Sequence, residues 1–222
     1  SNHPNSVHHE WSDAEDEQPF IVMELLEGAT LEDYINGNPN LSQELRVSIL
    51  AQVTNAVAAL HELGYAHRDI KPSNIYLVKN LVGKDNWVRI LDFGIVKPLH
   101  ERDKPKNNLF TQARGVIRGT PQYMSPEQFD GDCTCASDVF CLGLVGSFIL
   151  LGKHVFQPSD VPVARRERDQ LQYVPLPFEE IASSHLRRVL VRACLFQADK
   201  RYTDAKVLGD ALKELDQGPT EN

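Results

Sequence analysis

At 222 residues, with 41% apolar and 24% charged side chains, the chain can bury a sizeable core and is expected to form one domain or at most two. A formal net charge of −8 leaves no basic surface able to release counterions from phosphates, which argues against a nucleic-acid binder. The cysteines at 133, 135, 141 and 194 make one C-x-C and two isolated thiols rather than the C-x-x-C of a zinc site, so a reducing, cytoplasmic setting is expected.

Taken in order, residues 6–11 and 19–24 are expected strands, joined by a solvated acidic turn containing Asp13, Glu15, Asp16 and Glu17. A metal or partner site in that turn is the lesser alternative, and His3, His8 and His9 have no acid or thiol at ligand spacing. Residues 31–36 form a short helix. Ser42 then caps a long one, whose Leu45, Ile49, Val53, Val57, Leu60 and Leu63 recur at three- and four-residue steps until Gly64 stops it. Runs 75–78 and 87–91 flank a turn with Gly83, Asp85 and Asn86, which reads as a hairpin.

Residues 94–119 are polar, carry Lys97, Arg102, Lys104, Lys106 and Arg114, and lack apolar periodicity, the pattern of a functional or disordered loop. Residues 139–151 are apolar on nearly every side. They fall short of a membrane span, with Ser147 inside, and read as a buried core helix; no membrane segment and no signal peptide are recognised. Pro158, Pro162, Pro175 and Pro177 mark loops, and the charged piece 165–169 reads as a solvated helix face, with contact to an acidic substrate or partner as the alternative. Amphipathic helices at 185–195 and 203–215 finish the fold, and 216–222 should fray.

Two acidic words stand out against this frame. His67-Arg68-Asp69-Ile70-Lys71-Pro72-Ser73-Asn74 lies between the long helix and the hairpin, and Asp92-Phe93-Gly94 follows the second strand. Phosphoryl transfer needs a carboxylate to orient or deprotonate an acceptor hydroxyl, which Asp69 supplies. It also needs oxygen ligands for magnesium, which Asn74 and Asp92 supply, while Lys71 can neutralise charge on the phosphoryl in flight. These words, with Gly119-Thr120-Pro121-Gln122-Tyr123-Met124-Ser125-Pro126-Glu127, resemble the catalytic, metal-binding and G-T-x-x-Y-x-A-P-E motifs of the eukaryotic-type (Hanks-type) serine/threonine protein kinases, with Ser125 where alanine is usual. The wording of residues 91–97 and 119–128 is similar to that of the bacterial members.

The resemblance implies an α+β, protein-kinase-like fold: a mainly helical large lobe at 28–215, a short catalytic hairpin, two residual small-lobe strands and a hinge at 1–27, and a frayed tail at 216–222. It implies ATP and Mg2+ as cofactors and a protein with Ser or Thr as substrate, because Lys71 and Thr120 follow the serine/threonine pattern. Adenine would take hydrogen bonds from the backbone of Glu24 and Leu26, with Met23 as gatekeeper and Tyr76 in the floor. An ordinary buried strand explains the same hinge residues. Thr120 would bond Asp69 and Lys71. Thr111 would be phosphorylated and pair with Arg68, or else be a plain loop hydroxyl. Asp138 would hold the catalytic-loop backbone, a role compatible with a plain acid at a helix N-terminus, and Glu127 would pair with Arg201.

The chain departs from the family in two further ways. His9 stands where an apolar side chain is usual. No glycine-rich loop, phosphate-holding strand lysine or orienting helix glutamate precedes the hinge. The expectation is therefore a truncated catalytic domain, weak or inactive alone; the alternative is a non-catalytic kinase-like binding module. A small-molecule kinase is disfavoured by Lys71, Thr120 and the Ser-Pro-Glu motif, which serve protein substrates.

Overall fold

The computed structural model describes residues 9–13, 20–79, 87–91, 97–98, 119–173, 176 and 178–214. Two strands, β1 (His9–Asp13) and β2 (Phe20–Met23), pair antiparallel, with His9 opposite Met23 and Asp13 opposite Phe20 and a register irregularity between His9 and Trp11. The chain then crosses to a three-stranded antiparallel sheet made of β3 (Gly28–Thr30), β5 (Ile75–Val78) and β6 (Val88–Ile90), with β5 central. The hairpin read from sequence is the β5–β6 pair. The short β3 carries too few residues to show a period and was not foreseen.

Helix α1 (Leu31–Gly37) is capped by Thr30, and α2 (Gln43–Glu62) by Ser42, whose hydroxyl accepts from the Leu45 amide. Between α2 and β5, the two-residue β4 (Tyr65–Ala66) pairs with β7 (Lys97–Pro98). Helix α3 (Cys135–Leu151) starts earlier than its apolar run, because Thr134 and Ser137 exchange hydrogen bonds in a capping box. Then follow α4 (Val161–Asp169), α5 (Ser184–Ala193) and α6 (Ala205–Lys213), each opened by a side-chain cap from Asp160, Ser183 or Asp204.

Helix α3 is the axis of the core, and every residue from 137 to 149 is buried. Ile49, Leu50, Val53 and Val57 of α2 pack on one side and Leu186, Val189 and Leu190 of α5 on another. Fully burying each such side chain contributes about 1.5–3 kcal/mol. Two glycines allow the close approach: a Cβ on Gly146 would stand 2.9 Å from Leu190 and 3.2 Å from Leu50, and one on Gly143 would meet Cys194 Sγ at 2.4 Å.

The 152–184 stretch departs from expectation. Pro162 sits in the first turn of α4 rather than in a loop, where a missing N–H is harmless. Nor is the charged piece wholly solvated, for Arg168 is completely buried while Arg165 is exposed. Arg168 shares one face with Val161 and Ala164, a spacing of three and four that the run of charges disguises.

Candidate active site

The segment 67–74 is held from below by the first turn of α3. Asp138, itself fully buried, accepts the amides of His67 at 2.7 Å on Oδ2 and of Arg68 at 2.9 Å on Oδ1. Its Oδ2 also meets His61 Nε2 of α2 at 3.0 Å. Burial pushes the His61 imidazole down, and Asp138 and Cys135 outweigh it and push it up to about 9; against that, the Ala205 amide, donated into Nδ1 at 3.1 Å, requires that nitrogen to be bare, and the geometry decides. We therefore assign a neutral imidazole whose Nε2–H donates to Asp138.

Among the described residues Arg68 is the non-glycine residue with positive φ, at 77°. Its carbonyl accepts from Gln128 Nε2 at 2.9 Å. Glycine is required opposite, because a Cβ on Gly119, whose φ is 120°, would lie 3.0 Å from that carbonyl. His67 bonds the Leu91 carbonyl through Nε2 at 3.2 Å, and the Leu91 amide donates to the Asn74 carbonyl at 2.8 Å. The end of β6 is thus tied to both ends of the loop.

This scaffold presents Asp69, whose side chain is 11% exposed. Oδ1 accepts twice from Thr120, from the amide at 2.8 Å and from the hydroxyl at 2.9 Å. Oδ2 takes Lys71 Nζ at 2.9 Å and Asn74 Nδ2 at 3.0 Å. Lys71 Nζ also donates to Thr120 Oγ1 at 2.7 Å. A carboxylate so surrounded is fixed in orientation, with an ammonium beside it, and the Thr120 hydroxyl occupies a lone pair in the way an acceptor hydroxyl would.

Asn74 Nδ2 also donates to the Asp69 carbonyl, at 3.0 Å. With the nitrogen committed to two oxygens, the amide is oriented and Oδ1 is left as a hard oxygen donor, the kind of atom magnesium takes. The site therefore fits one such ligand. The second expected ligand, Asp92, and the expected regulatory Thr111 lie outside the described residues. Among the described residues no three His, Cys, Asp or Glu side chains gather as a metal site.

At the hinge, Tyr76 Oη donates to the Leu26 carbonyl at 3.2 Å, and the Lys79 amide donates to the Glu27 carbonyl at 2.8 Å. Gly28 passes so close to β5 that an added Cβ would stand 2.0 Å from the Leu77 carbonyl. Met23, expected at the back of an adenine pocket, lies 44% exposed at the end of β2, and Leu25 is 95% exposed. Glu24 is partly buried.

Beyond Thr120 the chain forms a ledge ending in the 3-10 turn Pro126–Asp130. Glu127 receives Arg201 as a fork, Nη1 to Oε1 at 2.7 Å and Nη2 to Oε2 at 2.9 Å, and Ser137 Oγ adds a third bond at 2.7 Å. Burial alone would raise the Glu127 carboxyl, but Arg201 and Ser137 hold it below the ordinary value. Sequence reasoning missed Gln128, Cys141, His61 and Arg168. The first three carry no signal beyond their positions on a turn or helix, whereas Arg168 could have been found from its apolar helical spacing.

Residues 1–212 match the protein kinase domain family. Serine/threonine-protein kinase Pkn1 of Myxococcus xanthus is 35% identical over 204 residues, covering 90% of this chain and 28% of that protein. PknB of Mycolicibacterium smegmatis is 34% identical over 198 residues, with 88% and 30% covered, and PknB of Mycobacterium tuberculosis 33% identical over 206 residues, with 91% and 31% covered. The chain thus spans less than a third of the length of these curated relatives, which are bacterial. Its α+β architecture, the loop built around Asp69 and the match along nearly its whole length lead to one conclusion: the chain belongs to the protein kinase domain family.

Proposed function

We propose that this domain transfers the γ-phosphoryl group of ATP to serine or threonine hydroxyls of protein substrates; its relatives are named serine/threonine-protein kinases. The observation that carries the reading is the fixed carboxylate of Asp69, held by Lys71, Asn74 and Thr120. Asp69 orients the acceptor hydroxyl and takes its proton as the new oxygen–phosphorus bond forms and the bond to the leaving ADP oxygen breaks. The Lys71 ammonium balances the charge beside it. Lys71 and Thr120 match the serine/threonine pattern. Asn74 Oδ1, with Asp92, would hold Mg2+, which when bound supplies charge neutralisation at the phosphates.

The base would lie against the hinge backbone of Glu24 and Leu26, between Met23 and Tyr76; since Tyr76 already occupies the Leu26 carbonyl, the Leu26 amide is the group left to serve it. Arg68 would receive a phosphate on Thr111, and Asp138, Glu127 and Arg201 keep the loop and ledge in place. Four free thiols suit a cytoplasmic protein, and among the described residues no helix is long and apolar enough to cross a membrane.

The test is Asp69→Asn in the native full-length protein, with γ-labelled ATP and casein. Transfer should fall by about 10²–10⁴-fold while Mg-ATP binding persists. Undiminished transfer in that variant would remove Asp69 from its role. A wild-type protein that binds ATP but labels no protein would favour the kinase-like binding module.

A further inference from the structure

We propose that Arg168 is a positioning residue for the protein substrate, setting the shape of the ledge formed by residues 120–126; the inference rests on the transfer reading above. Its guanidinium lies fully buried under the ledge, and three of its hydrogen bonds go to backbone carbonyls there. Nε donates to Met124 O at 2.8 Å, and Nη2 to Pro121 O at 3.1 Å and Gln122 O at 2.5 Å. The carbonyl between them, Tyr123 O, accepts from Cys141 Sγ at 3.1 Å, and burial pushes that thiol up so that it stays a donor. Four successive carbonyls are therefore satisfied by side chains of α3 and α4.

The ledge up to Ser125 is neither helix nor strand, so it has no ladder of its own to fall back on. Remove Arg168 and three acceptors lose a donor at once. The guanidinium also stacks on Phe156, 3.6 Å from the ring centroid. The same neighbourhood grips the ledge twice more, through Gln122 Nε2 to Phe156 O at 2.9 Å and the Tyr123 hydroxyl to His154 Nδ1 at 2.6 Å. Among the described residues its ion-pair partner, Glu167, stands 3.8 Å away, beyond hydrogen-bond reach, so the carbonyls and the aromatic ring do more than the ion pair to place this cation.

The ledge begins at Thr120, which contacts Asp69, so an altered ledge changes where an acceptor segment lies relative to the base. Lysine cannot replace the fork: one nitrogen cannot reach three carbonyls and stack.

The experiment uses Arg168→Met and Arg168→Lys in the native full-length protein. Steady-state kinetics are measured with casein varied and with ATP varied, together with hydrogen exchange at the Tyr123 and Met124 amides, which both donate to the Thr120 carbonyl. The KM for casein should rise about tenfold or more in both variants, because misplacing an acceptor by an ångström is felt strongly. The KM for ATP should stay within about twofold, since Arg168 touches nothing at the hinge, and the two amides should exchange faster. A lower kcat that tracks the folded fraction, with both KM values and the exchange unchanged, would reduce Arg168 to a fold residue and overturn the proposal. Should the wild type transfer nothing to casein, the transfer reading fails by itself. Exchange at Tyr123 and Met124 then decides whether Arg168 holds the ledge: faster exchange sustains that hold, and unchanged exchange overturns it.

Discussion

Thr120 places both its amide and its hydroxyl on one oxygen of Asp69, at 2.8 Å and 2.9 Å, across 51 residues of sequence. The amide bond survives any substitution that keeps the backbone in place, but the hydroxyl bond needs Ser or Thr. A hydrogen bond to a charged group contributes about 1.5–3 kcal/mol, and Lys71 loses its second acceptor as well. Thr120→Val should therefore lower kcat for protein phosphorylation by roughly ten- to a hundredfold, while Thr120→Ser stays within a few-fold. Equal losses in the two variants would show that the hydroxyl has no part in it.

The fork between Arg201 and Glu127 is enclosed, Arg201 being 2% exposed with further bonds to the carbonyls of Leu195, Ala136 and Phe196. Removing the carboxylate strands a buried cation. Glu127→Ala should cost about 3–5 kcal/mol in a urea titration at neutral pH. Because the folded carboxyl is depressed, the pair's stabilisation is complete above the unfolded carboxylate pKa and is lost as pH falls through the lower folded value. The gap between wild type and Glu127→Ala should accordingly shrink below about pH 4.5, the ordinary carboxylate range. A pH-independent gap would assign the effect to packing alone.

A glycine inside a helix is usually better replaced by alanine, by about 1 kcal/mol. Gly143 should reverse that sign, because the new methyl would stand 2.4 Å from Cys194 Sγ and 3.1 Å from Ala193 Cβ, in contact of α3 with α5. Gly143→Ala is expected to destabilise by about 1–3 kcal/mol, and Gly37→Ala, with nothing within 4 Å of the new Cβ, to be neutral or mildly stabilising. Thermal melts of the pair check both.

Asp138 accepts from His67, Arg68 and His61 at once. In Asp138→Asn an amide nitrogen must face at least one N–H, leaving a buried donor unmatched at about 1–3 kcal/mol. Lower stability should come with lower turnover, since the disturbed amides belong to the loop that carries Asp69. Turnover unchanged in folded Asp138→Asn would uncouple the two.

Residue type and local spacing made much of the scaffold legible. Ser42, the three- and four-residue steps of α2, and the all-round apolar surface of α3 announce elements that form; Ile49, Val53 and Val57 are buried as their spacing implies and α3 is enclosed on every side, but Leu63, read on the same face, lies 59% exposed at the end of α2. Asp69, Lys71, Asn74 and Thr120 could be named as a group, but their distances come from tertiary closure that no local pattern encodes. Arg168 failed to show itself for a different reason. A charge within a run of charges reads as solvated, and the run hides the local sign that it turns inward, the three- and four-residue steps through Val161 and Ala164.

The buried aspartate of α3 also bears on how the loop comes by its shape. The contacts that shape the loop around Asp69 join residues 70 and 71 positions apart through Asp138, and 144 apart where the Ala205 amide meets His61. Arg46 adds a closure of 103 residues onto the Ile149 carbonyl at the end of α3. Loops of that length must close before any of these bonds forms, so the shape of this segment depends on closure across the whole domain. A helix such as α2 can form from local contacts, whereas the loop needs α3 in place to supply Asp138, with α6 bracing His61 behind it. The shape of the loop around Asp69 is thus a property of the assembled domain and not of the loop's own residues.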